Sequence, residues 1–233
     1  MKINPSTLQI ELTNKILDDI NMKEYHIYNN KKIKNVNHMK NLQKLHVSGF
    51  CGIDDNGIKD LNLIELDAHY NANITNVNHM TKLQKLDAIY KCGIDDNGIK
   101  DLNLVELDAW DNPKITNVNH MTNLKKLNAR MNYGIDDKGI KDLNLVELNA
   151  SWNTKIKNVN HVTKLQKLNA HKCGIDDNGI HDLNLIELNA NNNRKITNVN
   201  HMTRLKILDV SWYCGINDTG IKDLNLIELD ANY

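Results

Sequence analysis

Residues 51–68 read CGIDDNGIKDLNLIELDA, and nearly the same words return from Cys92, Cys173 and Cys214, and once more with Tyr133 in the cysteine's place. The spacing around them is regular. Val36, Val77, Val118 and Val159 recur every 41 residues, and Val199 follows after 40. Each long unit divides in two, because Leu63, Leu83, Leu104, Leu124, Leu145, Leu165, Leu185, Leu205 and Leu226 are spaced by 20 or 21. A self-similar period of this length marks an array of stacked units.

Within the unit, LQKLDAIYKCGI from Leu83 and LIELDAHYNANI around Leu63 and Leu66 share an L-x-x-L-x-A core, then Cys or Asn, then Ile. The L-x-A alternation predicts a short strand with Leu and Ala facing inward. One such strand buries too little to stand alone, so successive coils must stack and cover each other. The segments DDNGIKDLN and NVNHMTKLQ must then return the chain across the outer face, with Asp or Asn capping the first turn.

This wording resembles the leucine-rich repeat signature L-x-x-L-x-L-x-x-N/C-x-L, from about residue 25 to residue 233 in about eleven copies. LQKLNAHKCGI, residues 165–175, fits that spacing without adjustment, and the other copies carry one extra residue. Ala88, Ala109, Ala129, Ala150, Ala170 and Ala190 replace the usual bulkier aliphatic, which implies close backbone layers. The resemblance implies an α/β solenoid, or horseshoe, with a parallel sheet on the concave face and short helices or 3₁₀ turns on the convex face. The Asn- and Lys-rich wording is similar to that of repeat proteins of giant DNA viruses.

Residues 1–24 form a separate element. Ser6 and Gln9 fit a capping box, and Leu8, Leu12, Ile16 and Ile20 have helical spacing. An N-terminal helical cap over the first coil is one reading. The other is an F-box remnant, since LQIELTNKIL at residues 8–17 resembles the opening of an F-box, with Gln9 where that family has proline. The DDNG units also look like those of F-box leucine-rich proteins, which implies a ubiquitin-ligase substrate adaptor as the alternative function.

Composition narrows the field. Lys+Arg and Asp+Glu balance at 29 each, so no global field draws nucleic acid or an anionic membrane. No stretch approaches the ~20 apolar residues of a membrane span, and the chain is expected to be soluble and cytoplasmic, in the host cytoplasm if viral. Cys51, Cys92, Cys173 and Cys214 occupy one repeat slot. Same-type coils two strands apart lie about 10 Å from each other, too far for a disulfide or a shared zinc ion. His38, His79, His120, His161 and His201 recur once per long unit and cannot converge either. The DDNG runs lack the calcium-loop spacing. The expectation is a non-enzyme with no cofactor and no metal.

Function is sought on the outward face of the strands. Its first row alternates in sign, Lys44, Glu65, Lys85, Glu106, Lys126, Glu147, Lys167, Glu187, and breaks at Ile207. The second row places Asp67, Asp87 and Asp108 side by side, either a solvated acidic strip or a weak site for a cation or a basic partner. Next comes the slot where the copies differ, and all three tryptophans fall in it. Tyr, Trp and Arg dominate interface hot spots. The expected partner-binding residues are Tyr70, Tyr90, Trp110, Asp111, Arg130, Met131, Trp152, His171 and Trp212. Their expected target is another protein, without nucleic acid or membrane, and the last coil offers an edge for self-association.

Overall fold

The computed structural model describes residues 22–232. The sequence expectations for the N-terminal cap or F-box remnant fall almost wholly outside them. Eleven strands form one sheet in strict sequence order, every adjacent pair parallel. The first two are β1 (Glu24–Tyr28) and β2 (Lys44–Ser48). Then follow β3 (Glu65–Asp67), β4 (Lys85–Asp87), β5 (Glu106–Asp108), β6 (Lys126–Asn128), β7 (Glu147–Asn149), β8 (Lys167–Asn169), β9 (Glu187–Asn189), β10 (Ile207–Asp209) and β11 (Glu228–Asp230).

The register stacks like on like. Leu66 lies opposite Leu45 and Leu86, and Asp87 opposite Asp67 and Asp108. The leucine row and the alanines that follow it are closed to solvent, and Ile53, Ile74, Ile94 and Ile115 complete one continuous core. At β11 this cover ends: Ile227 is 81% exposed and Leu229 46%.

The return segments behave in two ways. DDNG closes a short helix at α1 (Asp55–Ile58), α2 (Asp96–Ile99) and α3 (Asp177–Ile180), and NDTG does so at α4 (Asp218–Ile221). DDKG gives a 3₁₀ turn, Lys138–Ile140. The first Asp accepts a hydrogen bond from the glycine amide three residues on, as Asp95 does from Gly98 at 3.0 Å. The second Asp stitches the next coil: Asp55 accepts from the amides of Thr75 at 2.8 Å and Asn76 at 3.2 Å. NVNHM segments cross by turns instead, with His79, His120, His161 and His201 each placing Nε2 3.0–3.2 Å from an Ile carbonyl of the preceding coil. Those histidines hold coils together, and they do not meet.

The cysteine slot alternates with a buried asparagine ladder. Asn71, Asn112, Asn153 and Asn193 each donate to carbonyls of the preceding coil. Burial pushes the Cys92 and Cys173 thiols up to about 11, which keeps them protonated. One expectation needs correcting. Tyr133 is the residue before glycine in the linear pattern, but it is 45% exposed, and Asn132 takes the buried slot. Asn132 donates to the carbonyls of Ala109 and Asn112 and accepts from the amides of Gly134 and Ile135.

Candidate interaction surface

Three rows of side chains run across the strands. In the first, Lys44, Lys85, Lys126 and Lys167 each reach forward to the glutamate of the next strand, at 3.0, 2.7, 3.3 and 2.9 Å. The register puts a glutamate on both sides of Lys85, but contact closes only toward Glu106. These pairs are open to solvent, which screens their attraction.

The second row turns the chain. Asp67, Asp108, Asn128, Asn149, Asn169, Asn189 and Asp209 each accept a hydrogen bond at Oδ1 from the amide two residues on. Asp87 alone of this run makes no such bond among the described residues. Burial, then Asp108, Asp67 and Glu65, push its carboxyl up to about 6, against the pull of His69. Burial raises Asp108 as well, although Trp110 and Asn128 donate to it.

Asp87 has a folded value above the ~3.9 of an unfolded chain, so the native state holds the extra proton between about pH 4 and 6. Stability from this group is therefore full below that window and lost as pH rises through it. Later coils show the remedy, since Asn128 Nδ2 donates to Asp108 Oδ2 at 2.9 Å. Asp87→Asn is expected to raise the unfolding free energy at pH 7 by ~1 to 2 kcal/mol after solvent screening, with no gain at pH 4. Urea denaturation at both values checks this, and equal gains at both would refute it.

The third row is the variable rim. Tyr70, Tyr90, Asp111, Met131, Trp152, Lys172, Asn192 and Trp212 all hold left-handed backbone, with φ between 46° and 60°. That conformation costs an L residue ~1 to 2 kcal/mol and suits Gly or Asn, as at Gly49 and Asn192. Four of the eight are nevertheless Tyr or Trp. The rings are held against the backbone's preference.

The fold brings the expected residues into two groups and a single. Tyr70 stacks on Tyr90 at 4.6 Å, Tyr90 meets Trp110 at 4.5 Å, and the Arg130 guanidinium lies 4.9 Å from the Trp110 ring. Trp152 touches His171 at 5.6 Å and carries Lys172 at 3.9 Å over its ring. Trp212 stands apart, 61% exposed. Asp111 and Met131 share the rim's backbone geometry but join neither ring group. In the first group Trp110 Nε1 and Arg130 Nε are covered without a hydrogen-bond acceptor, so ring contact holds it together. Lys172 and His69 belong to the same variable slots but were not among the expected binding residues; the structure sets Lys172 over Trp152 and His69 Nδ1 2.6 Å from Asp67 Oδ1.

Between β4 and β9 the sheet face forms a depression of about 490 Å³ lined by Asp87, Asp108, Lys126, Glu147 and Asn169. Charged and amide groups floor it.

No protein-family model and no curated protein matches this sequence. Solved structures do match. An internalin, InlF, from Listeria monocytogenes superposes with a TM-score of 0.63 at 19% identity, covering 94% of this chain and 69% of the other. TLR13, solved as a complex with ssRNA13, superposes with a TM-score of 0.60 at 19% identity, covering 90% of this chain and 35% of the other. At such identities the likeness is one of fold. The chain folds as a leucine-rich-repeat solenoid, as the repeat signature implies. No helix among the described residues is long and apolar enough to cross a membrane.

Proposed function

We propose that this solenoid is a non-catalytic scaffold that recognises another protein through the aromatic rim and the acidic strip beside it. The observation that carries the reading is the stacked run Tyr70, Tyr90, Trp110 and Arg130, whose tyrosines sit at left-handed positions that favour Gly or Asn. Drift at unconstrained sites would follow that preference. A partner suited to the surface offers an apolar anchor to the rings and basic groups to Asp67, Asp87 and Asp108. The same acidic strip, with zero net charge overall, disfavours a phosphate backbone.

The test replaces Trp110, Trp152 and Trp212 by alanine together and compares crosslinked partners captured by the intact and altered chains. Buried aromatic hot spots contribute about 2 kcal/mol or more each, so retention is expected to fall at least ~100-fold with circular dichroism unchanged. Undiminished capture, or a complex that ribonuclease dissolves, would overturn the reading. The adaptor alternative rests on the DDNG wording of the repeats and on residues 8–17, the latter outside the described part. Self-association through β11 rests on the exposed Ile227 and Leu229. Light scattering of the same samples tests it, and a mass of one chain at every concentration removes it.

A further inference from the structure

We propose that Glu24, His26 and His46 form a binding site for one divalent transition-metal ion of the zinc class. The site lies where β1 and β2 begin the sheet. Parallel register sets His26 directly opposite His46, and Glu24 is two residues before His26, on the same face. Both imidazoles and the carboxylate are thereby brought to one spot. Glu24 Oε1 is 3.0 Å from His26 Nε2 and 3.5 Å from His46 Nε2. One donor atom from each of the three residues lies within 4.8 Å of the other two.

The surroundings favour a metal over a simple ion pair. His46 Nε2 is covered yet has no hydrogen-bond partner. On the opposite side of that ring, Nδ1 faces Asp67 Oδ2 at 3.4 Å. A proton on Nδ1, held toward Asp67, leaves the Nε2 lone pair free to ligate, as the outer carboxylates of metal-bound histidines do. The two rings are parallel within 6° and 4.1 Å apart.

Two imidazoles and a carboxylate match the donors zinc takes at about 2.0–2.2 Å, with a fourth position left for water. The same set also accepts Cu²⁺, Ni²⁺ and Co²⁺. Reaching those lengths needs the rings to splay and Glu24 to swing outward. The His26 and Glu24 side chains are 64% and 48% exposed, so both have room to move.

The experiment titrates the full chain with Zn²⁺ by calorimetry and with Co²⁺ by visible absorption. One equivalent is expected to bind, with visible d–d bands more intense than those of six-coordinate aqueous Co²⁺, the mark of a low coordination number. His46→Gln and Glu24→Gln should each weaken binding at least tenfold. Asp67→Asn should weaken it ~10-fold through the outer contact. His181→Gln, on a solvent-exposed histidine of a return segment, should leave binding unchanged. Thermal melts without metal establish that each variant is folded. The proposal fails if no stoichiometric binding occurs, or if it survives in His46→Gln and Glu24→Gln.

Discussion

Asn153→Ala is expected to lower the unfolding free energy by about 3 to 5 kcal/mol. Asn153 is fully buried, and its amide nitrogen donates to the carbonyls of Ala129 at 3.3 Å, Asn132 at 2.6 Å and Ile135 at 3.1 Å. Its Oδ1 accepts from the amides of Lys155 at 2.9 Å and Ile156 at 3.2 Å. Alanine leaves these backbone groups with no solvent to turn to, and each stranded buried group costs ~1 to 3 kcal/mol before relaxation. A surface asparagine removed from this chain would cost well under 1 kcal/mol. The lesion also sits mid-array, and each coil contacts only its neighbours. The melt should therefore broaden as the two flanks lose coupling. Urea denaturation followed by circular dichroism measures both effects, and a loss below ~1 kcal/mol would mean the ladder is not structural.

The repeat made the strands legible because inward packing allows little choice: Leu66 and Ala68 have one place to go, and the same demand recurs every 20 or 21 residues. The Lys and Glu row was legible for the same reason, since register puts like positions side by side. Three features were hidden. Tyr133 and Asn132 exchanged roles because the buried slot is set by hydrogen bonds to Gly134 and Ile135, not by the count back from glycine. The left-handed rim was hidden because Tyr and Trp are not residues that announce positive φ. Glu24, His26 and His46 escaped because periodic reasoning looks for what repeats, and this trio occurs once. The candidate rim was legible as a list of slots. Which rings stack, and where Arg130 and Lys172 rest, depends on side-chain directions that spacing alone does not give.

Gly98→Ala is expected to destabilise the chain by at least about 2 to 4 kcal/mol, against the sign that helix propensity alone would give. Within a helix alanine is favoured over glycine by ~1 kcal/mol, and Gly98 lies inside α2 with ordinary helical backbone. Here a Cβ would run into the Thr75 carbonyl oxygen of the preceding coil. Gly98 also accepts from the Val77 amide at 3.0 Å, so the two coils are already bonded where the methyl would enter. The obstruction is backbone and cannot rotate away, so the coils must part, breaking that bond and loosening the isoleucine packing beside it. Overpacking of this kind usually costs ~1 to 3 kcal/mol, and more when backbone must move. Asn97→Ala, at an exposed position of the same helix, should change stability by less than ~0.5 kcal/mol. The pair isolates close approach from propensity: if both substitutions proved neutral, the coils would stand farther apart than stacking requires, and the tight spacing that brings Tyr70, Tyr90 and Trp110 into contact would lose its physical basis.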